Sequence, residues 1–287
     1  MIHAVTVRRV TKRIEETCPW YNYLEFPGNR RSLMTPRPKL QHDATDYESF
    51  AQIYSRWIGR DFAERTLPAI ERLLAANIEA GTDVLDLCCG AGHVAKRLAE
   101  LGYRVTGVDA SEAMLEIAKV TAPQAEFVLA DARNFRLHSR LAKQFQAVIS
   151  TFNSLAHIRT SELGEVFCSV RQALSTGGIF LLDLTMEEAY RARWRGSFSS
   201  VTNEYACVVR PTYDAANRTA TNYVTAFLPD SNGTWRRSDF TIVQNCHSQC
   251  EVEAALHSCG FTEVRVMDAQ DDLGISGESG RAFFLCK

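Results

Sequence analysis

Three aspartates recur at similar intervals in the chain, and each of them follows a short apolar run. Asp86, Asp109 and Asp131 lie 23 and 22 residues apart. A turn that contains Gly90 and Gly92 follows the first aspartate and leads into a helical pattern. Backbone amides at the start of a helix bind anionic groups, and a carboxylate at the next strand tip accepts hydrogen bonds from ribose hydroxyls. The pattern therefore predicts a site for a cofactor that contains adenosine.

The class of adenosine cofactor depends on the first and third carboxylates. The spacing Gly90-x-Gly92-x-x-Ala95 fits the dinucleotide pattern, so a nicotinamide-dependent oxidoreductase is one hypothesis. A carboxylate at Asp86 would repel a pyrophosphate but would be favourable beside a cation. S-adenosylmethionine carries a sulfonium and an α-ammonium group, and Asp131 is placed to accept a hydrogen bond from its adenine amino group. These features favour S-adenosylmethionine, while a non-catalytic nucleoside-binding module on the same scaffold remains a third hypothesis.

Short apolar runs alternate with helical patterns from residue 83 onward, which predicts a parallel sheet covered by helices on both faces. A helix with Leu163, Val166 and Phe167 on one face is predicted to end at Gly177. The sequence Ser248-x-x-Glu251 predicts a capping box at the start of a late helix. The predicted strands of this sheet are Val84–Leu87, Arg104–Val108, Glu126–Leu129, Ala147–Ser150, Gly178–Leu184, Glu263–Met267 and Ala282–Cys286.

The pattern changes on either side of this alternation. Residues 201–210, 219–228 and 234–245 are rich in Val, Thr, Tyr and Phe and are separated by turn sequences, which predicts an antiparallel insertion of about three strands. A second helix is predicted near Leu67–Ala76, with Pro68 in its first turn. An earlier helix is predicted because one helical face carries Phe50, Ile53, Tyr54, Trp57 and Ile58.

These stretches resemble the class I S-adenosylmethionine-dependent methyltransferases, in particular the small-molecule branch with an antiparallel insertion after the fifth strand. The resemblance covers residues 45–287 and rests on VLDLCCGAGHVAKRLAELGYRVTGVDASEAMLEIAK, FVLADARNF, FQAVISTFNSLAHI, LSTGGIFLLDL and LHSCGFTEVRV. It implies an α/β fold with a seven-stranded, mostly parallel Rossmann-like sheet. Cys88 replaces a glycine of the family's first motif, and we expect the small side chain to be tolerated if φ stays negative.

The composition of residues 1–45, with prolines at 19, 27, 36 and 38, predicts a partly irregular arm that the resemblance leaves unexplained. For the rest of the chain the resemblance implies a core with a lid helix (46–186), the insertion (187–247) and the completion of the sheet (248–287), together with a set of cofactor-binding residues. The residues implied at the methionine and sulfonium end are Asp86, Cys89, Gly90, Ala91, Gly92, Thr151 and Phe152. Those implied around the adenosine are Asp109, Ala110, Met114, Asp131 and Ala132. Tyr47 and Tyr54 of the lid helix are implied to close over the cofactor.

The methyl acceptor is predicted to bind beyond the fourth strand. His157 follows that strand by a few residues and has a side chain that titrates near neutral pH, so it is a candidate general base, although helix capping or packing would also explain it. Asn153 would hold a polar group of the acceptor or satisfy loop backbone. Arg237 and His247 are candidate walls of the acceptor pocket. We expect methyl transfer to nitrogen or oxygen of a small metabolite that the sequence does not identify.

Composition limits the remaining possibilities. A net charge of −2 and a pI near 6.4 argue against a nucleic-acid partner. No apolar run is long enough to span a bilayer and no secretory leader is visible, so a cytoplasmic protein is expected. The nine cysteines form no C-x-x-C pair, which indicates reduced thiols, and Cys246, His247 and Cys250 make only half of a zinc pattern, so no metal is predicted. Both a monomer and a homodimer remain open.

Overall fold

The computed structural model describes residues 45–229 and 232–287. Its helices are α1 (Thr45–Arg56), α2 (Ile58–Ala75), α3 (His93–Glu100), α4 (Glu112–Thr121), α5 (Leu163–Ala173), α6 (Glu187–Arg193) and α7 (Gln249–Ser258). Its strands are β1 (Asp83–Leu87), β2 (Arg104–Asp109), β3 (Glu126–Leu129), β4 (Phe145–Ser150), β5 (Leu174–Thr185), β6 (Phe198–Val201), β7 (Ala206–Asp214), β8 (Thr219–Pro229), β9 (Trp235–Asn245), β10 (Val264–Asp268) and β11 (Arg281–Cys286). The predicted arm at residues 1–45 lies almost entirely outside the described residues.

Seven strands form one sheet in the order β10-β11-β5-β4-β1-β2-β3. The pairs among β1 to β5 are parallel, and β11 is antiparallel to both of its neighbours. This topology confirms the predicted mostly parallel Rossmann-like sheet. Because β1, β2, β3 and β4 run in the same direction, their carboxyl ends meet at one edge, which brings the predicted site residues together.

The strands are buried on both faces because their apolar side chains alternate between two helical layers. On β5, Ile179 and Leu181 pack with α2, α3 and α4, whereas Phe180 and Leu182 pack with α5 and α7. All four side chains are fully buried. This double burial explains why the core strands appear in the sequence as nearly continuous apolar runs.

Two helix boundaries differ from the prediction. Helix α2 begins at Ile58, so Pro68 lies in the helix interior and not in the first turn. Burial of Phe62 and Ala63 stabilises the additional turns on the amino-terminal side of the helix. This burial offsets the loss of the backbone hydrogen bond that Pro68 cannot donate. Helix α5 ends at Ala173, before the predicted Gly177, because β5 already begins at Leu174 and pairs there with β4. The capping box before α7 is confirmed, with the Ser248 N–H donating to the Glu251 carboxylate at 2.8 Å.

The insertion is an antiparallel sheet of four strands in the order β6-β7-β8-β9, one more than predicted. The additional strand β6 is only four residues long, so its sequence carries little pattern. One face of the sheet, including Val224 and Ile242, packs with Phe50 and Ile53 of α1. The end of β9 also joins the segment after β4, because the Asn245 side chain donates to the carbonyls of Ala156 and Ile158. The insertion is thus fastened to the tip of β4.

None of the described helices combines the length and the apolar character needed to cross a bilayer.

The expectation of reduced thiols is wrong for one pair of cysteines. Cys168 on α5 and Cys259 after α7, 91 positions apart in the sequence, form a disulfide, with their Cα atoms 4.9 Å apart. The side chains of these two helices pack on the same face of the sheet, which brings the two sulfur atoms together. Six other cysteines in the described chain are free thiols, and of these Cys250 is exposed.

Removing this disulfide should lower thermal stability. A cross-link over a long loop typically contributes about 2–4 kcal/mol, which corresponds to a fall in Tm of roughly 5–10 °C for a domain of this size. We expect this fall for Cys168→Ser/Cys259→Ser and for the wild type under a phosphine reductant, measured by calorimetry. Cys250→Ser is the control, because it removes an exposed free thiol and should leave Tm unchanged. Superimposable melting curves with and without reductant would show that the bond does not stabilise the fold.

Candidate active site

The turn between β1 and α3 requires its two glycines for different reasons. Gly90 and Gly92 have φ values of +52° and +78°, which side-chain-bearing residues rarely adopt. A Cβ atom at Gly92 would lie only 3.0 Å from the Cβ of Ala118, so this glycine also allows close packing of α4. A Cβ at Gly90 would have its nearest neighbour at 3.6 Å, on the ring of Tyr54. Gly90 therefore leaves the surface of the turn open towards Tyr54.

Residues with strained backbone lie at the same edge of the sheet. Of the four described non-glycine residues with positive φ, three follow β1 or β4: Cys88 (+61°), Phe152 (+63°) and Asn153 (+58°). The condition under which Cys88 was expected to be tolerated, a negative φ, is therefore not met, since the turn holds it in the left-handed region that favours glycine. Such a residue costs about 1–2 kcal/mol and persists where the surroundings impose it, most often at functional sites.

Asp86 carries a buried carboxylate oxygen that lacks a partner. The residue is 1% exposed, and its Oδ2 accepts no hydrogen bond from the described residues. Burial, and after it the negative charge of Asp109, raises the pKa of Asp86 to about 7. An unpaired buried acceptor is costly, and a cationic group bound beside it would remove that cost. The unpartnered carboxylate oxygen of Asp86 therefore fits the ammonium or sulfonium group of S-adenosylmethionine.

Asp109 organises the turn and the start of the next helix. Its Oδ2 accepts from the Gly90 N–H at 2.8 Å, and its Oδ1 accepts from the Ser111 N–H at 2.9 Å. Ser111 in turn caps α4 by accepting from the Met114 N–H. Ala110, next to the carboxylate, is exposed, whereas Met114 is buried together with Ala91. The half-buried Asp109 thus lies where the glycine turn and α4 meet.

The third carboxylate lies near the first two but is paired with an arginine. The Arg133 Nε donates to Asp131 at 2.9 Å, and this hydrogen bond holds the pKa of Asp131 below its usual range. After burial, the charges of Asp109, Asp86 and Asp131 all raise the pKa of the Cys88 thiol. All three carboxylates therefore act electrostatically on one side chain at the edge of the sheet. Ala132, which follows Asp131, is buried in the core.

Aromatic rings cover the tip of β4. Phe152 stacks on Phe62 of α2 with ring centroids 4.1 Å apart and lies 5.6 Å from the Tyr54 ring. Tyr54 therefore lies against both the glycine turn and Phe152. Thr151, which precedes Phe152, is buried. The predicted role of Tyr54 in closing over the cofactor stays a prediction. Tyr47 belongs to the same helix, but its side chain lies outside the described part of the chain.

On the predicted acceptor side, Asn153 and His157 have different environments. Asn153 is 3% exposed, donates to the Tyr190 hydroxyl at 2.8 Å and accepts from the Thr185 N–H at 2.8 Å. These contacts favour the structural alternative for Asn153, that of satisfying neighbouring polar groups. His157 is half-buried, and its Nδ1 lies 3.0 Å from the Val243 carbonyl oxygen. Because a carbonyl can only accept, Nδ1 carries the hydrogen, and Nε2 of the neutral ring carries the lone pair that a base requires.

The two candidates from the insertion are less suited to bind an acceptor. The His247 side chain is 1% exposed and is held by the Thr160 hydroxyl at 2.9 Å and the Leu155 carbonyl at 3.3 Å. Burial lowers its pKa, and it lines a cavity of about 320 Å³ together with Cys246. Arg237 is exposed and paired with Asp239 at 2.7 Å. Within the described residues no group of three metal-binding side chains is present.

The sequence analysis did not find a buried ion-pair group next to the β4 tip. Asp183 on β5 accepts from the backbone N–H groups of Phe152 and Asn153, and Arg281 pairs with it. The sequence does carry a signal for it, because LLDLT places a carboxylate in an apolar strand, where a charge requires a partner. The identity of that partner depends on the pairing of β5 with β11, which the sequence pattern does not reveal.

Comparison with known proteins agrees with this geometry. Residues 84–178 match the model of a family described as methyltransferase domain. The putative methyltransferase YqeM of Bacillus subtilis is 28% identical over 239 residues, which are 83% of this chain and 95% of that protein. The dTDP-3-amino-3,4,6-trideoxy-alpha-D-glucopyranose N,N-dimethyltransferase of Streptomyces venezuelae is 28% identical over 232 residues, with coverages of 79% and 91%. The crystal structure of an S-adenosylmethionine-dependent methyltransferase from Clostridium acetobutylicum has the same fold, with a TM-score of 0.69, 20% identity and coverages of 84% and 98%.

The matched residues 84–178 include the glycine turn and the three carboxylates Asp86, Asp109 and Asp131. The buried acceptor at Asp86 fits a cationic cofactor better than a pyrophosphate, which argues against a nicotinamide cofactor. The methyltransferase-domain match over residues 84–178 and the methyltransferases among the relatives support a class I S-adenosylmethionine-dependent methyltransferase with S-adenosylmethionine as the cofactor.

Proposed function

We propose that the protein transfers a methyl group to a nitrogen or oxygen atom of a small metabolite. The observation that carries the proposal is the unpartnered, buried oxygen of Asp86 beside an open glycine turn. The Streptomyces venezuelae relative, whose name specifies an amino group of a nucleotide-linked sugar, supports a small acceptor. The insertion would form a wall of the acceptor pocket, and its hydrogen bond from Asn245 to the Ala156 carbonyl in the segment after β4 supports this role.

Each strand tip would have its own task in this reaction. When bound, S-adenosylmethionine supplies an electrophilic methyl group. Asp86 would hold the cationic methionine end, and Asp109 would accept hydrogen bonds from the ribose hydroxyls. Thr151 and Phe152 would line the sulfonium, while Tyr54 would exclude water by covering the turn. His157 would accept the proton of an acceptor that must lose one.

Two measurements in sequence test this function. Calorimetry with S-adenosylhomocysteine should detect binding, and the absence of heat at millimolar ligand would end the proposal. Transfer from methyl-labelled S-adenosylmethionine should then be followed by mass spectrometry across nucleotide-linked amino sugars, simple amines, phenols and carboxylates. Cofactor binding without any labelled product in this panel would instead support a non-catalytic binding module.

Cofactor affinity should depend on pH through Asp86. Its pKa of about 7 means that the free protein protonates this carboxylate in mild acid, whereas a bound cation requires the ionised form. At pH 7 about half of the carboxylate is ionised, so the Kd for S-adenosylmethionine should rise roughly five-fold between pH 7 and pH 6 and approach ten-fold, or about 1.4 kcal/mol, for each further unit. Above pH 8 the affinity should be constant. Calorimetry from pH 5.5 to 8.5 measures this profile.

Two substitutions show whether Asp86 causes the profile. Asp86→Asn should bind more weakly at pH 8 and lose the pH dependence. Asp131→Asn is the matched control, since the pKa of Asp131 is lowered and the residue stays ionised throughout, so the slope should survive. A raised pKa also means that Asp86 destabilises the free fold as pH rises from about 4 to 7. Asp86→Asn should therefore raise Tm at pH 8, and a slope that persists in this variant would assign it to another group.

A further inference from the structure

A carboxylate on β5 controls the strained turn at the tip of β4. The Asp183 side chain is fully buried. Its Oδ1 accepts from the Phe152 N–H at 2.5 Å, and its Oδ2 accepts from the Asn153 N–H at 3.1 Å. These two residues have φ values of +63° and +58°, a conformation that needs compensation in residues with side chains. One carboxylate thus holds both amide groups of two successive left-handed residues.

A second layer of charges fixes that carboxylate. Arg281, 5% exposed at the start of β11, pairs with Asp183 through Nη1 and donates from Nε to Glu278 at 2.9 Å. Glu278 also accepts from Arg65 of α2 at 2.6 Å, and the positive charges around it lower its pKa to about 2 despite burial. The Asp183 side chain therefore has little freedom to rotate away from the turn.

Arg281 is also linked to the turn after β4 through two aromatic rings. The Arg281 guanidinium lies 4.7 Å from the centroid of the Phe62 ring. Phe62 in turn stacks on Phe152 with the two rings inclined by 18°. The backbone of Phe152 is therefore held through Asp183, and its ring is held through Phe62. Both contacts lead back to Arg281.

Stability alone is a weak explanation for this arrangement. Burying an ion pair costs desolvation energy, whereas burying apolar residues of similar size does not. A buried ion pair therefore seldom adds net stability. Here both carboxylate oxygens of Asp183 accept from the turn after β4 and not from β5, the strand that carries Asp183. A role in the geometry of the turn accounts for this direction.

We propose that Asp183 is a positioning residue for the methyl donor, holding the turn Thr151–Asn153 against the sulfonium end of the cofactor, and that Arg281 acts through it. This inference rests on the proposed function, which places Thr151 and Phe152 at the sulfonium. Aromatic faces and backbone carbonyls attract a cation, and this attraction depends on their distance from the positive sulfur.

The test compares two ligands that differ only at the sulfur atom. S-adenosylmethionine has the methyl group and the positive charge, whereas S-adenosylhomocysteine has neither. In Asp183→Asn we expect the Kd for S-adenosylmethionine to rise about 5- to 20-fold, in the range of a lost cation–aromatic contact. The Kd for S-adenosylhomocysteine should change by less than about three-fold, since adenosine and the methionine carboxylate bind elsewhere. Calorimetry gives both constants without a methyl acceptor.

Three further variants keep the test decisive. Phe152→Leu should reproduce the selective loss of S-adenosylmethionine binding, and adding Asp183→Asn to it should cause little further loss. Arg281→Lys retains the charge beside Asp183 but loses the forked contact with Glu278, so it should show a smaller selective loss even if Asp183→Asn fails to fold. Val252→Ala is the control for destabilisation, because it opens a cavity in the core on α7 and should lower Tm without changing the ratio of the two constants.

The outcomes separate this inference from the function on which it rests. A changed ratio in Asp183→Asn or Arg281→Lys supports the positioning role. An unchanged ratio in folded Asp183→Asn and Arg281→Lys, with only Tm reduced, overturns it and leaves the ion pair as a structural element. A wild type that binds neither ligand refutes the proposed cofactor site itself, and the positioning role with it.

Discussion

Replacing Asp109 with alanine should weaken the binding of both S-adenosylmethionine and S-adenosylhomocysteine by about 1–3 kcal/mol, or roughly 5- to 150-fold. The side chain is proposed to accept hydrogen bonds from the ribose hydroxyls, which both ligands carry. It also accepts from the N–H groups of Gly90 and Ser111, so its loss would loosen the turn and the start of α4. Calorimetry with each ligand measures the effect.

The chain offers a matched control on the same strand pair. Asp83 lies at the amino end of β1, where it pairs with Arg104 and Lys143 on the surface. Asp83→Ala removes an aspartate from the neighbouring strand β1 at the opposite edge of the sheet, so the Kd values should change by less than two-fold. Unchanged affinity in Asp109→Ala would show that the tip of β2 does not face the ribose. Equal loss of the two ligands also distinguishes Asp109 from Asp183, whose substitution should separate them.

The sequence predicted the main sheet and its carboxylates because both follow from local patterns. Parallel strands are buried on both faces and appear as apolar runs, and a polar residue that ends such a run must lie at the sheet edge. Asp86 and Asp109 could therefore be located from neighbouring residues alone. The capping box at Ser248 was equally local.

The sequence did not predict features that depend on contacts between distant segments. Asp183 and Arg281 are 98 residues apart and meet only because β11 pairs antiparallel with β5 in one register. Cys168 and Cys259 meet only because α5 and α7 share one face of the sheet, and nine cysteines allow many pairings. The positive φ of Cys88 was missed because the residue type favours negative φ and the surrounding turn overrides it.

The candidate site shows the same division. The residues of the glycine turn were predicted from their own motif, but the roles of Asn153 and His247 depend on partners supplied by β5, α6 and the segment after β4. Both side chains are buried and fully engaged with the protein in the structure. A polar residue type near a strand tip therefore identifies a site less reliably than a carboxylate that lacks a partner.

Substituting His157 should have the largest effect on turnover. His157→Ala is expected to lower kcat by about 100-fold or more for an alcohol, phenol or ammonium acceptor, which is the usual contribution of a general base. The hydrogen bond from Nδ1 to the Val243 carbonyl fixes the tautomer that presents Nε2 as the proton acceptor. The Kd for S-adenosylhomocysteine should remain unchanged, because the ring is not proposed to contact the cofactor. Methyl transfer from labelled cofactor, measured over a range of pH, gives kcat.

His157→Asn separates catalysis from anchoring of the insertion. The asparagine amide can still donate to the Val243 carbonyl, as Nδ1 does, but it cannot accept a proton at neutral pH. If His157 is the base, the alanine and asparagine variants should be equally slow. Full activity in His157→Asn would instead show that the side chain only holds β9 against the tip of β4. A carboxylate acceptor needs no base, so its methylation should be insensitive to both substitutions, and this difference would also identify the chemical class of the natural acceptor.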